Sequence, residues 1–230
     1  MTEILYPVWR QRLARSLHVN RSQVPAKHYQ VASVSPSGRP KNRTMVFRGF
    51  LSDTQSLLSV TDLRSDKIEE WQGGDKSHFE ICWYFSGSRQ QYRLAGEVVL
   101  ISNCLDTHYK GSVLGKQTKE SLLKQQWSNL STSAQEPFYS SSPKAPFDEE
   151  PIPPNVLGGL NSQTNGGNSE FDSIKSVQNN NAQSQFEMSD NFCVVIFIPY
   201  TVDYLDLKSK PQQRCLYDIQ DDWKEIFVNP

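Results

Sequence analysis

Cationic and hydroxyl side chains are concentrated between Arg43 and Lys67, where together they could hold a phosphate-like anion. The run from Val60 to Lys67 begins as an apolar strand and passes through a threonine, an arginine and a serine into the start of a helix. A helix start offers free backbone N–H groups and a favourable dipole, and hydroxyls with a lysine complete an anion site. Taken alone, the run also fits an ordinary helix cap with solvated charges.

Arg43 and Arg48 lie in the run RTMVFRGF, whose composition predicts an extended strand. Successive side chains of a strand point to opposite faces, so the two arginines are predicted to point in opposite directions. One of them could serve an anion while the other meets a different environment. Two solvated arginines on an edge strand are the alternative.

A further polar run, Gln90 to Arg93, opens a later strand. The amide of Gln91 combines a hydrogen-bond donor with an acceptor, which suits the edge of a planar heterocyclic ring. By itself this run indicates little.

Two or three helices are predicted beside these runs. Trp9, Leu13 and Leu17 repeat at helical spacing after Pro7. A second helix is expected to start at Ser65-Asp66 and to stop at the Gly73-Gly74 pair. Residues 106–130 have helical composition, and three of them are expected to face the core: Leu122, Leu123 and Trp127.

Short runs rich in β-branched and aromatic residues predict the sheet, because Gly, Pro, Ser and Asp separate them as turn residues do. In chain order they are YQVASV, RTMVFRGF, SLLSVT, HFEICWYF, QQYRLAGEVVLI, NFCVVIFIPY, VDYLDL, RCLYDI and WKEIFV. The predicted fold class is therefore mainly β, of α+β character: a β-barrel of eight or nine strands with flanking helices.

The composition changes abruptly over residues 140–189, which are rich in Ser, Asn, Gln, Gly and Pro. Such a segment buries too little apolar surface to offset its ordering entropy, so we predict a disordered insert. Residues 1–139 then form the first part of the barrel, and residues 190–230 supply the strands that complete it.

The bulk properties exclude several classes of protein. Lysine and arginine total 24 against 25 aspartate and glutamate, so no nucleic-acid partner is expected. The longest apolar run, Phe192 to Ile198, is too short for a membrane span, and the first residues lack the pattern of a secretion signal. The four cysteines occur singly, which predicts neither a metal site nor a disulfide framework. A cytoplasmic protein is the expectation.

In combination, the runs resemble the pyridoxamine 5'-phosphate oxidase family, and especially its short FMN-binding branch in bacteria and cyanobacteria. That family's pattern is an Arg-x-x-x-x-Lys strand, a Tyr-Thr strand end, a Ser-Arg-Lys turn into a helix, and an Arg-Gln-x-Arg strand after an aromatic pair. The counterparts here are Arg43 to Arg48, Val60-Thr61, Ser65-Asp66-Lys67, Gln90 to Arg93 and, as the aromatic pair, Trp83-Tyr84. The resemblance covers residues 5–135 and 190–230.

The resemblance implies an FMN-binding split β-barrel that forms a homodimer with FMN at the interface. Arg43 and Lys67 would hold the FMN phosphate, helped by Thr61 and Ser65. The implied substrate is a small molecule, with a B6 vitamer phosphate as the leading candidate.

The remaining residues of the implied site would contact the ring or the substrate. The backbone at Val46 would lie against the isoalloxazine ring, and Gln91 would hydrogen-bond the ring from the partner subunit's side. Arg214 would lie near the N1 and O2 edge, where a guanidinium stabilises the negative charge of reduced flavin. Arg48 replaces the lysine that contacts the substrate phosphate in the family.

Three departures from the family pattern bear on function. Asp66 replaces the arginine of the Ser-Arg-Lys turn, and Arg64 is a candidate to substitute for the missing charge. The aromatic residue that packs on the flavin corresponds to Tyr204 or to Leu205. The Arg-Leu-His triplet for the pyridoxal substrate reads Lys210-Pro211-Gln212 here.

Two functions follow from the resemblance. One is a flavin oxidoreductase that passes a hydride from its substrate to FMN and is reoxidised by dioxygen or another acceptor. The other is a non-catalytic module that carries or senses FMN, which the missing triplet favours. A β-barrel interaction domain without a cofactor is a third alternative.

Overall fold

The computed structural model describes residues 6–72, 77–105, 111–146 and 186–230. Four α-helices lie in these ranges: α1 Val8–Val19, α2 Asp66–Gln72, α3 Lys119–Ser128 and α4 Thr132–Gln135. The strands in these ranges are β1 His28–Val34, β2 Pro40–Val46, β3 Gly49–Phe50, β4 Leu57–Asp62, β5 His78–Phe85, β6 Gln90–Ile101, β7 Phe192–Asp206, β8 Gln213–Asp218 and β9 Ile226–Val228. Short 3-10 turns connect some of them.

The strands form one antiparallel sheet in the order β2-β1-β5-β6-β7-β4-β3, with β8 and β9 continuing from β7. The strand β6 pairs with β7 along its whole length. On the other edge of β7, residues 192–197 pair with β4 and residues 201–206 pair with β8. The long strand therefore joins two partly separate groups of strands.

Two hydrophobic clusters lie on opposite faces of the first half of β7. Odd-numbered residues from Cys193 to Phe197 join the cluster that contains Trp9 and Leu13 of α1. Even-numbered residues from Phe192 to Ile196 join the cluster beneath α3. Since both faces are buried, this half of the strand reads as a continuous apolar run.

The predicted core faces of the helices are confirmed. Trp9 and Leu13 of α1 are fully buried, and Leu17 packs partly buried against the same cluster. In α3 the three predicted side chains are no more than 3% exposed: Leu122, Leu123 and Trp127. Each helix thus covers one hydrophobic cluster with a single apolar face.

Some of the predicted strand boundaries are wrong. The run WKEIFV is a strand only over Ile226–Val228. The runs NFCVVIFIPY and VDYLDL form one strand, because a bulge absorbs the irregularity between them: Gly96 pairs with Pro199 while Ala95 pairs with Thr201. The run RTMVFRGF is instead broken after Val46. There the chain exchanges β1 for β4 as its neighbour, since the Arg48 N–H donates to the carbonyl of Leu58.

Replacing Gly96 by alanine is expected to destabilise the sheet by about 2 kcal/mol or more, because the added methyl overpacks the bulge. Its Cβ would lie 2.0 Å from the carbonyl oxygen of Ile198 and 2.8 Å from the ring of Phe79. Denaturant unfolding measures the loss. The matched control is Gly38→Ala, which meets no atom within 4 Å and adds only the strain of a positive φ, about 1 kcal/mol. Equal losses in the two variants would contradict the prediction.

Most of the predicted insert, residues 147–185, lies outside the described residues, as does the predicted helix stop at Gly73-Gly74. The described ends of the insert contact the turn after β4 and the helix α3. Arg64 donates to the carbonyl of Ser140 at 2.7 Å, and the indole N–H of Trp127 donates to the carbonyl of Phe186 at 3.0 Å. The boundaries at residues 140 and 189 stay predictions.

None of the helices in the described ranges is long and apolar enough to cross a membrane.

Candidate functional site

A cavity of about 470 Å³ opens between β2, β4 and the start of α2. Its volume is in the range of sites for small ligands and cofactors. Six of the eight site residues predicted from the sequence line it: Arg43, Val46, Arg48, Thr61, Ser65 and Lys67. The fold therefore brings together residues from two runs that are separated along the chain.

The cavity carries an excess of positive charge. Among the residues that the structure describes, five cationic side chains line it, namely Lys41, Arg43, Arg48, Lys67 and Lys144. Within the same part of the chain, two carboxylates line it, those of Asp66 and Glu70. A local cationic excess in a chain of net charge -1 attracts an anion to this place in particular.

Arg43 is held rigidly at the inner wall of the cavity. Its guanidinium forms an ion pair with Glu70, whose side chain is only 5% exposed, and donates to the hydroxyl of Ser33 at 2.5 Å. A second bond runs to the carbonyl of Val31 at 3.3 Å. The single positive charge of Arg43 is therefore already paired with a carboxylate before any ligand binds. Sequence reasoning missed this pair because Glu70 carries no local signal.

Lys67 and Thr61 form the polar centre of the cavity. The Lys67 ammonium donates to the Thr61 hydroxyl at 3.0 Å. Burial lowers the pKa of Lys67, and the nearby charge of Arg43 lowers it further. Both effects penalise the ammonium in the absence of an anion, so a bound anion would relieve them.

Arg48 lines the same cavity as Arg43, whereas the prediction placed the two arginines in different environments. The physical reason is the strand break after Val46, which ends the alternation on which the prediction depended. Gly49 follows Arg48 with a φ of 125°, a conformation that favours glycine and was the one local signal of the break.

Arg48 also has an unusual environment. Its Nε is buried and has no hydrogen-bond partner within the described part of the chain. Burial lowers the pKa of its guanidinium. An anion in the cavity would supply the missing acceptor, because a buried donor without a partner is costly.

Arg64 does not substitute for the cation missing at Asp66. Its side chain is bound to the carboxylate of Asp62 at 2.9 and 2.6 Å and to the carbonyl of Ser140, and it does not line the cavity. Lys144 instead forms an ion pair with Asp66. Sequence reasoning missed Lys144, because it lies within the segment assigned to the insert.

The other two predicted residues, Gln91 and Arg214, lie together on the outward face of the sheet rather than in the cavity. Gln91 of β6 pairs with Leu205 of β7, which pairs with Arg214 of β8. The Arg214 guanidinium is bidentate to Asp203 at 3.0 and 2.6 Å. We call Gln91, Leu205 and Arg214 the outer row.

The outer row also distinguishes Tyr204 from Leu205, the two candidates for the residue that packs on the flavin. Tyr204 is 5% exposed and faces the core, where its hydroxyl accepts a hydrogen bond from Gln90 at 2.7 Å. Leu205 is half-buried between Gln91 and Arg214. Of the two candidates for packing on a ring, only Leu205 shares a face with Gln91 and Arg214.

Known proteins resemble this chain in sequence and in fold. The family model "Pyridoxamine 5'-phosphate oxidase, FMN-binding domain" matches residues 6–102. A solved structure of a pyridoxamine 5'-phosphate oxidase-related, FMN binding protein from Nostoc punctiforme is 34% identical, with a TM-score of 0.74, and the match covers 98% of this chain and 100% of that one. The chain belongs to this pyridoxamine 5'-phosphate oxidase-related, FMN-binding family. The resemblance and the predicted split β-barrel with flanking helices are thereby confirmed.

Two curated relatives match part of the chain. Pyridoxine/pyridoxamine 5'-phosphate oxidase 2 of Arabidopsis thaliana is 40% identical over 93 residues, which are 40% of this chain and 46% of that protein. An uncharacterized protein of Saccharomyces cerevisiae is 35% identical over 94 residues, covering 34% of this chain and 32% of that protein. The matches thus span less than half the length of these curated relatives.

The fold extends to a protein of lower identity. PhzG from Burkholderia lata, solved with tetrahydrophenazine-1-carboxylic acid, is 16% identical with a TM-score of 0.59, and the match covers 96% of this chain and 90% of that one. At this identity the likeness concerns the fold alone.

Proposed function

We propose that this protein binds FMN, with the phosphate in the cavity between β2, β4 and α2, and acts as an FMN-dependent oxidoreductase. The observation that carries the proposal is the cationic cavity itself, which lies within the segment matched by the FMN-binding family model. The donors assigned to the FMN phosphate, one ammonium, one guanidinium and two hydroxyls, have the chemistry that a phosphate dianion requires.

The phosphate would be held by residues that are already positioned. Lys67 and Arg43 supply charge, and Thr61 and Ser65 supply hydroxyl groups at the same wall. The ion pair of Arg43 with Glu70 fixes the guanidinium before the ligand arrives. Preorganisation of this kind lowers the entropy lost on binding.

The ring would lie against the backbone at Val46. The Val46 carbonyl accepts a hydrogen bond from the buried hydroxyl of Ser59 at 2.7 Å, and Ser59 is bonded to Tyr29 at 2.5 Å. Neither Ser59 nor Tyr29 is exposed. These two side chains therefore hold the strand end in place beneath a planar ligand.

The separation of the outer row from the cavity supports a site that is assembled from two chains. Gln91 and Arg214 lie side by side, but neither lines the cavity of its own chain. In a homodimer with FMN at the interface, the outer row of one chain would face the cavity of the other. A guanidinium at Arg214 would then stabilise negative charge that develops on the ring.

The proposed reaction is the oxidation of a small phosphorylated substrate. Bound FMN supplies the redox chemistry, because its ring accepts a hydride from the substrate and is reoxidised by dioxygen or another acceptor. Arg48 would hold the phosphate of the substrate, since its side chain lines the same cavity and its Nε has no acceptor among the described residues. A B6 vitamer phosphate is the proposed substrate class.

A non-catalytic FMN carrier or sensor is the second candidate. Lys210, Pro211 and Gln212 lie exposed in the turn between β7 and β8, at the place of the family's substrate triplet. A lysine, a proline and a glutamine cannot reproduce the hydrogen bonds of an arginine and a histidine. This turn favours FMN binding without turnover of pyridoxamine phosphate.

Flavin spectroscopy tests both candidates. The purified protein is expected to be yellow or to become yellow on addition of FMN. For the oxidoreductase, pyridoxamine or pyridoxine phosphate should bleach the flavin bands without air, and air should restore them. An unchanged spectrum with these substrates would favour the carrier. A colourless protein that takes up no added FMN would contradict both.

A further inference from the structure

The rim of the cavity contains an ion pair between two distant parts of the chain. Asp66 lies at the start of α2, and Lys144 lies in the segment that follows α4. Both side chains line the cavity, and both are largely exposed. An exposed pair of this kind contributes little to folding stability, so its position at an anion site calls for another role.

Each carboxylate of the cavity has a cationic partner. Glu70 is paired with Arg43, and Asp66 is paired with Lys144. Without its partner, Asp66 would place an uncompensated negative charge one residue from Lys67. The hydrogen bond from Lys144 is also the main cause of a lowered pKa at Asp66.

The segment that carries Lys144 is anchored to the strand that enters the site. Arg64 donates to the carbonyls of Ser140 at 2.7 Å and of Pro137 at 3.3 Å, and it is itself fixed by Asp62. The backbone N–H of Ala145 donates to the carbonyl of Ser142 at 3.0 Å, closing a tight turn around Pro143 and Lys144. Lys144 is thus presented to the cavity by a defined structure.

From these contacts we infer that Lys144 is a phosphate-binding residue of the cavity, which neutralises Asp66 and adds a cation to the anion site. The ammonium has three donors, so it can serve the carboxylate and a phosphate oxygen together. The inference rests on the proposed function for the identity of the ligand, FMN. It assigns affinity for the phosphate, and not for the ring, to a segment outside the barrel strands.

The test compares FMN with riboflavin, which has the same ring without the phosphate, by fluorescence titration. Lys144→Ala is expected to weaken FMN binding roughly tenfold, the effect of about one charge-assisted hydrogen bond, and to leave riboflavin binding unchanged. The loss should shrink at high salt, because the residue is exposed. The double variant Asp66→Asn/Lys144→Ala should regain only the part of the loss that comes from the uncompensated charge of Asp66, because the hydrogen bond from Lys144 to the phosphate stays absent.

Lys116→Ala is the matched control. Lys116 is another exposed lysine paired with an aspartate, Asp53, and it does not line the cavity. The Lys116→Ala variant should bind FMN with the affinity of the unaltered protein. Equal FMN affinity in Lys144→Ala and Lys116→Ala would overturn the inference, as would an equal loss for riboflavin.

A second probe separates this inference from the proposed function. If the unaltered protein binds no FMN, the proposed function fails, and thermal stabilisation by inorganic phosphate then decides the inference. Stabilisation that falls in Lys144→Ala would uphold an anion site with Lys144 in it. Stabilisation that is absent, or unchanged in this variant, would overturn it.

Discussion

Loss of Arg43 and Lys67 together is expected to abolish FMN retention. Each substitution removes a charged hydrogen-bond donor from the wall of the cavity. One hydrogen bond to a charged group contributes about 1.5–3 kcal/mol to the free energy of binding. Two of them correspond to a loss of affinity of roughly a hundredfold or more. Fluorescence titration with FMN measures the loss, and riboflavin should be affected much less.

The design must remove the partner of Arg43 as well. Arg43→Ala alone would leave the carboxylate of Glu70 buried and unpaired, because Glu70 is 5% exposed, and breaking a buried pair costs about 3–5 kcal/mol of stability. The informative protein is therefore the triple variant Arg43→Ala/Glu70→Gln/Lys67→Ala.

Glu70→Gln alone is its matched control, and it should bind FMN at least as tightly as the unaltered protein, since it removes a negative charge from the cavity. A triple variant that is folded by circular dichroism and still binds FMN with unchanged affinity would mean that the phosphate lies elsewhere. A weaker affinity in Glu70→Gln would mean that the fixed position of Arg43 matters more than its charge.

Local patterns predicted most of the elements. The bounds of β5 and β6 match the predicted runs, because both strands alternate between a buried and an exposed face and end at turn residues. The buried face of α1 was predictable for the same reason. In each case the signal lies in neighbouring residues of one run.

The errors concern contacts between runs that are distant in the chain. The strand break after Val46 depends on the exchange of β1 for β4, and no residue of RTMVFRGF except Gly49 reports it. This break decides that Arg43 and Arg48 share one cavity. Local alternation predicts a side-chain direction only as far as the strand continues.

The electrostatics of the site were the least predictable part. The sequence shows Arg43 and Lys67 as free cations, but the structure pairs Arg43 with Glu70 and brings Lys144 to Asp66 from a different segment. Such pairs depend on the tertiary fold. Composition alone gave the net charge of the chain, and not the cationic excess of one cavity.

Mixing two defective proteins is expected to restore FMN sites, if each site takes its cavity from one chain and its outer row from the other. The first protein is the triple cavity variant, and the second is Gln91→Leu/Arg214→Gln. Each should bind FMN poorly alone. In a mixed dimer, one site combines the altered cavity of the first protein with the altered outer row of the second. The other site combines the unaltered cavity with the unaltered outer row and is therefore intact.

The expected recovery follows from statistics. After dissociation and reassociation in equal amounts, about half of the dimers are mixed, and one of their two sites is intact, so about a quarter of all sites should bind FMN tightly. Different affinity tags on the two proteins verify that mixed dimers form. As a control, the triple variant mixed with Lys67→Ala should restore no site, because both carry the defect in the cavity.

The outcome decides whether the outer row belongs to the FMN site of the partner chain or to that of its own chain. Mixed dimers without recovered sites would place Gln91 and Arg214 at the cavity of their own chain, or at no site. Full FMN affinity in Gln91→Leu/Arg214→Gln by itself would remove the outer row from the cofactor site. Recovery would instead explain why a cavity with a cationic wall and a row with a ring-binding amide lie on separate parts of one chain. Each would then be half of a site that exists only in the dimer.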